Sequence, residues 1–238
     1  MRAAHTPAWR AVSAVLALLV AVVPSAAQEV DEAPGLRAHH VSVSGGVLLV
    51  GGYDIGDATA VLRGNAVGPS APPFTLFRAS TSVEAVTGGE TRVGYALTRS
   101  VSVEAGFGYS RPSLTTRIAA DEESAAVTLD AERLAQYVVD VSLQWQPPRP
   151  VIAGRLRPFV TGGGGYLRQL YRERTLVETG RIYFAGGGVR YWLRGGDGAR
   201  RSIGLRGDVR AQWRTGGVEF ENRRRVAPVV AVHLFAEL

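Results

Sequence analysis

Two small groups of residues in this sequence have the types that acyl-transfer chemistry uses. His40 and Ser42 lie two positions apart near the start, and His233 and Glu237 lie four apart near the end, with His39 alongside the first pair. A hydroxyl nucleophile needs an imidazole base within hydrogen-bond reach and a carboxylate that orients the base. A Ser-His-Glu set is conceivable only if the two ends of the chain are brought together. A larger group is ionic: Arg92, Glu104, Asp140, Arg190, Arg206, Asp208, Arg210 and His233. Paired within a closed structure, these residues would fill space. Because four arginines stand against three carboxylates, they could also line a narrow anion-preferring pore. The run Gly162 to Gly165 is followed by neither the lysine nor the Ser or Thr of a phosphate-binding loop. It reads as a strand of little bulk, shaped for curvature or for close packing of interior arginines. The chain has no cysteine, so disulfides and thiolate metal sites are excluded. No catalytic, cofactor or metal set is assigned.

The elements that must carry these residues are strands. From Ser202 to Arg214, Ile203, Leu205, Gly207, Val209, Ala211 and Trp213 alternate with Gly204, Arg206, Asp208, Arg210, Gln212 and Arg214, which gives one apolar and one charged face. Val101 to Ser110 and Gln136 to Trp145 repeat the pattern, and a slip of one residue would exchange the faces. Weaker strands are expected at about 40–53, 89–98, 156–172, 178–194 and 226–238, making eight. In the fifth, Arg168 assigns the even positions to the interior. Short connections at Thr98-Arg99-Ser100, around Pro147, Pro148 and Pro150, and at Gly195 to Gly198 alternate with longer ones. The longer ones include Asp54 to Gly88 and the acidic stretch at Asp121, Glu122 and Glu123.

The N-terminus points to export. Arg2 and Arg10 precede the apolar run Ala11 to Val23, which ends in Pro24-Ser25-Ala26-Ala27. This is the pattern of a signal peptide cleaved after Ala27, leaving 28–238 as one domain. The formal net charge of +6 is carried by arginine alone. These arginines are spread over strand ends, loops and alternate strand positions, so no basic face suited to nucleic acid forms.

Alternation alone also describes a soluble barrel with the apolar face turned inward around an apolar ligand. Three features favour lipid. The strands are long enough to cross a bilayer at a tilt. The charged face is regular. Tyr53, Tyr95, Tyr109, Tyr137, Trp145, Tyr183, Tyr191 and Trp213 fall mostly near strand ends, where interface girdles form. The expected fold is therefore all-β: a transmembrane antiparallel up-and-down β-barrel of about eight strands, closed because every strand amide in hydrocarbon must be bonded.

Gly94 to Gly106 and Arg157 to Tyr166 resemble the glycine-and-aromatic strands of OmpA-like and OmpX-like outer-membrane proteins. The resemblance is diffuse and spans nearly the whole mature chain. It implies a bacterial outer-membrane location in a Gram-negative envelope, contact with outer-membrane lipid, and insertion by the outer-membrane assembly machinery. It also implies a structural or surface-binding role through extracellular loops, toward an unknown partner. Val230, Val232, Leu234, Ala236 and Leu238 resemble the C-terminal strand that such machinery recognises, with Leu238 where the family usually has an aromatic. No added peptidoglycan-binding domain is expected. Lipid A deacylases of the outer membrane carry a histidine-x-serine near the outer leaflet, whereas His40 and Ser42 stand at the periplasmic start of the first strand. A lipid-modifying enzyme thus remains an alternative to the non-enzymatic reading, beside the narrow pore and the soluble barrel.

Overall fold

The computed structural model describes residues 39–63, 73–119, 127–129, 132–147, 155–171, 177–194, 201–217 and 224–238. The expected signal peptide, the acidic stretch at 121–123, Pro148, Pro150 and Gly195 to Gly198 lie outside the described residues. Twelve strands run in chain order: β1 (Val41–Val50), β2 (Tyr53–Arg63), β3 (Pro73–Val83), β4 (Val86–Ala96), β5 (Val101–Ser110), β6 (Ser113–Ala119), β7 (Val127–Thr128), β8 (Glu132–Trp145), β9 (Leu156–Tyr171), β10 (Val177–Arg194), β11 (Ser202–Gly216) and β12 (Arg225–Glu237). Among the described residues no helix is long and apolar enough to cross a membrane.

Eight of these strands close a barrel in the order β1, β4, β5, β8, β9, β10, β11, β12, with β12 returning to β1, and every pairing is antiparallel. Its circuit can be followed from Val41 through Tyr95, Val103, Leu143, Gly162, Ala185, Ala211 and Pro228, and it returns to β1 at Gly51, ten residues further along the strand. That stagger over eight strands sets a tilt of about 40° to the barrel axis. The remaining strands extend upward from one end. β2 pairs β3, β3 pairs β6, β6 pairs β7, and β6 touches β8 only through Ser113 and Leu114. The segment expected as one long connection, 54–88, therefore holds a hairpin.

The apolar set of each strand faces outward and the polar set inward. Val47 is 65% exposed and Leu143 59%, while Glu104 and Gln144, on the alternate parity, are 1% exposed. This orientation overturns the soluble alternative, since an apolar ligand cavity would need the opposite facing. Tyr95, Trp145 and Tyr191 stand on the outer wall at the end carrying the short Leu97–Ser100 turn, and Tyr109, Tyr137, Tyr183 and Trp213 at the other. From Tyr137 to Trp145 is eight residues, about 26 Å along the strand and about 20 Å along the axis at this tilt. That approaches the height of an outer-membrane apolar band flanked by aromatic girdles. Tyr53 does not join a girdle; its hydroxyl lies inside the mouth, 3.3 Å from Arg214 Nη1.

The facing of β9 is the reverse of the expectation. Arg157, Phe159, Thr161, Leu167 and Gln169 point inward, and Arg168 is exposed on the outer wall. Leu167 is held inside by packing on Ile182 and Phe184. On β9 Arg168 stands two residues beyond the outward Tyr166, toward the open end, which keeps its charge clear of hydrocarbon. Four glycines between the two ends leave the parity unmarked.

Candidate functional site

Among the described residues the lumen gathers the buried charged side chains, and it is built from inward-facing positions at spacing two. On β11 these are Arg206, Asp208, Arg210, Gln212 and Arg214; on β4 they are Glu90 and Arg92. Asp208 sits between two arginines, meeting Arg206 Nε at 3.1 Å and Arg210 Nε at 2.9 Å. Arg210 grips Glu90 through both terminal nitrogens, at 2.9 and 2.6 Å. Glu90 also accepts from Arg92 at 3.0 Å and lies 2.9 Å from His233 Nε2. Arg92 donates onward to Asp140 at 3.0 and 3.2 Å.

A second layer centres on Glu104. Arg206 donates to both its oxygens at 2.8 Å, Arg190 donates at 2.7 Å, and Arg92 Nη1 lies at 3.8 Å, which joins the two layers. Arg190 also lies 3.7 Å from Glu237, whose carboxylate accepts from Ser202 Oγ at 2.6 Å and Trp192 Nε1 at 3.2 Å. The eight ionic residues singled out in the sequence thus lie in one continuous network contributed by six strands. Glu90 and Glu237 complete it. Both share inward parity with a residue already singled out, Arg92 and His233 respectively, and that parity is the signal by which they could have been found.

Interleaved aromatics complete the filling. Arg206 lies 4.6 Å from the centroid of Phe159, Arg92 and Arg210 at 5.8 and 5.6 Å from Phe184, and Arg190 at 5.5 Å from Phe235. Such contacts strengthen when desolvated. Gly106 makes room for the Arg92–Asp140 pair. A Cβ there would stand 2.8 Å from Asp140 Oδ2 and 3.1 Å from Arg92 Cζ. Above the charges, Arg214 donates to Gln212, Gln136 and the Tyr53 hydroxyl. An apolar cluster of Ile55, Val83 and Leu134, packed with Tyr53, Leu114 and Tyr171, lies across the mouth.

The geometry bears on the chemistry considered for the chain ends. His233 faces Glu90 and Asp208, while Glu237 is engaged by Ser202, Trp192 and Arg190, so the two do not meet as base and orienting group. Ser42 is opposite Glu237 in the β1–β12 register, but His233 is opposite Gly46, further up the barrel. Among the described residues no cluster of three or more potential metal ligands occurs. Six buried arginines, Arg92, Arg157, Arg190, Arg206, Arg210 and Arg214, stand against five buried carboxylates, Glu90, Glu104, Asp140, Asp208 and Glu237. That near balance gives a filled interior rather than a strongly positive one. A cavity in the lumen, bordered by Glu90, Asp140 and Arg210, measures about 30 Å³.

A closed eight-stranded antiparallel barrel with an apolar outer wall, two aromatic girdles and a polar, charge-filled interior is the construction of a small transmembrane β-barrel. Among solved structures, the crystal structure of the outer membrane protein OprG from Pseudomonas aeruginosa is similar to the chain at 13% identity, over 85% of this chain and 97% of that one, with a TM-score of 0.47. The solid-state NMR structure of the outer membrane protein AlkL in DMPC lipid bilayers is similar at 17% identity, over 90% of this chain and 92% of that one, with a TM-score of 0.33. No family model and no curated protein matches the chain.

Proposed function

We propose that this chain is a non-enzymatic protein of the bacterial outer membrane, exported with a cleaved signal peptide and inserted by the outer-membrane assembly machinery. In this reading its barrel strengthens the envelope, and its β2–β3–β6–β7 extension meets a partner outside the cell. The observation that carries this reading is the filled lumen. Its ionic groups are spent on one another, and the cavity that Glu90, Asp140 and Arg210 border, about 30 Å³, is on the scale of a few water molecules at most. The extension, by contrast, presents a polar cleft of about 810 Å³ bordered by Asp54, Asp57, Ser80, Ser82, Thr115 and Arg117. The short Leu97–Ser100 turn at the opposite end supports placing this extension outside the cell, following the turn asymmetry of such barrels.

The test combines three readouts on the full chain. Reconstituted in planar bilayers, the protein is expected to give no stepwise conductance. Deletion of the protein from the strain that carries it is expected to raise detergent sensitivity while lipid A acylation stays unchanged. Single-channel steps would establish a pore instead, and altered acylation would establish a lipid-modifying enzyme. A variant with residues 57–80 replaced by a short turn keeps Ile55 and Val83 over the mouth. If it restores detergent resistance, the barrel carries the envelope role and the extension is left to binding.

A further inference from the structure

Three arginines gather on the outer wall of the barrel at the end bearing the extension. Tyr109, Tyr137 and Arg168 form one cross-strand row over β5, β8 and β9. In the next outward row Ala135 pairs Leu170, and Arg111, which follows the Ser110–Gln136 pair, stands beside Ala135. Arg133, paired with Ser113, is two residues further along β8. All three arginines are exposed. They surround the small side chain of Ala135, within about 5–8 Å by the spacing of neighbouring strand positions. They border a depression of about 780 Å³ whose other walls are Tyr109, Tyr137, Leu170 and Tyr171.

No carboxylate among the described residues pairs with any of the three. Arg111 donates to the Tyr109 hydroxyl and lies 5.6 Å from its ring centroid, contacts that bring no negative charge to the guanidinium. At the same end of β12, β1 and β4 the outward residues Pro228, Leu49 and Thr87 carry no charge, while exposed Arg181 on β10 and Arg224 ahead of β12 stand singly, outside the depression. A convergent triple positive charge directly beyond an aromatic girdle lies at head-group level, where basic clusters meet anionic lipid. Arg133 and Arg168 are separated by about 13 Å of strand, a wider span than one phosphate, which suits a head-group bearing two.

We propose that Arg111, Arg133 and Arg168 form a binding site for the phosphates of an outer-leaflet glycolipid, a bisphosphorylated disaccharide lipid whose sugar and upper acyl chains rest on Tyr109, Tyr137 and Leu170. The proposal rests on the outer-membrane reading and its orientation.

The test is native mass spectrometry of the full mature chain released from mixed micelles. The micelles carry diphosphoryl lipid A, its dephosphorylated form or phosphatidylglycerol, with inorganic phosphate as a soluble probe. Wild type is expected to retain diphosphoryl lipid A in preference to the other three. The exposed triple variant R111Q/R133Q/R168Q is expected to bind it roughly a hundredfold more weakly, about fivefold for each guanidinium. R99Q, in the Leu97–Ser100 turn at the opposite end of the barrel, should bind as wild type does. Equal retention of phosphatidylglycerol, binding of free phosphate alone, or unchanged affinity in the triple variant would overturn the proposal. Heat-modifiable migration of each sample keeps the two readings apart. A variant that migrates as a closed barrel and still binds refutes the site alone, whereas a wild-type chain with no heat-modifiable form refutes the membrane barrel beneath it.

Discussion

Glu90 is the residue on which most of the lumen converges. It accepts from Arg92 and from both terminal nitrogens of Arg210, and it faces His233, at 5% exposure. A buried ion pair stabilises little relative to an apolar isostere, yet removing one partner leaves the other charge without compensation. Glu90→Gln is therefore expected to lower the unfolding free energy in detergent by about 3–5 kcal/mol. The midpoint of a urea titration, read by loss of the heat-modifiable form, measures it. Midpoints equal to wild type would mean that Arg92 and Arg210 are neutralised by other groups. At this scale much was legible in the sequence, because period-two spacing fixes which side a charge occupies once its neighbours declare the apolar face. Arg206, Asp208 and Arg210 follow from Leu205, Val209 and Trp213 in that way. The partners did not follow, since spacing on one strand says nothing of which strand lies across the lumen. Phe159 and Phe184 were hidden for a different reason: an inward phenylalanine reads as apolar, and its facing is explained by contacts from other strands, with arginine at both and with Leu167 at Phe184.

At the scale of the element, the eight barrel strands show what alternation can and cannot specify. β5, β8 and β11 carry it almost without interruption, and their spans and facing follow from the sequence. β9 fails at Gly162 to Gly165, where no side chain marks either face. Arg168 then misleads, because an arginine is as stable beyond a girdle as inside a polar lumen. The hairpin of β2 and β3 was hidden by register shifts between Asp54 and Gly56 and between Ala60 and Val61, which break the period that announces a strand. The facing of β8 is open to direct test. Val141 is 55% exposed midway between Tyr137 and Trp145. Val141→Arg is expected to destabilise the barrel by about 2–4 kcal/mol in a bilayer, the cost of an arginine near the midplane of a lipid face. The same urea titration in phosphatidylcholine vesicles reads the loss. An unchanged midpoint would place Val141 away from lipid.

For the whole molecule, closure and filling answer the same physical demand. Strand amides in hydrocarbon must all be bonded, which closes the sheet, and an eight-stranded circumference leaves an interior about as wide as its own side chains. Inward arginines and carboxylates must then pair with one another across the lumen, and the inward glycines give them room. The outer wall, freed of charge between its girdles, is left to lipid, and the extension beyond the mouth is left to whatever lies outside. The most direct test of this account is to express the full chain in a Gram-negative host, isolate the outer membrane, and compare the electrophoretic migration of unheated and heated samples. A closed membrane barrel predicts recovery in the outer-membrane fraction, with an unheated form that migrates apart from the heated one. Recovery as a soluble periplasmic protein with a single migration in both samples would contradict it.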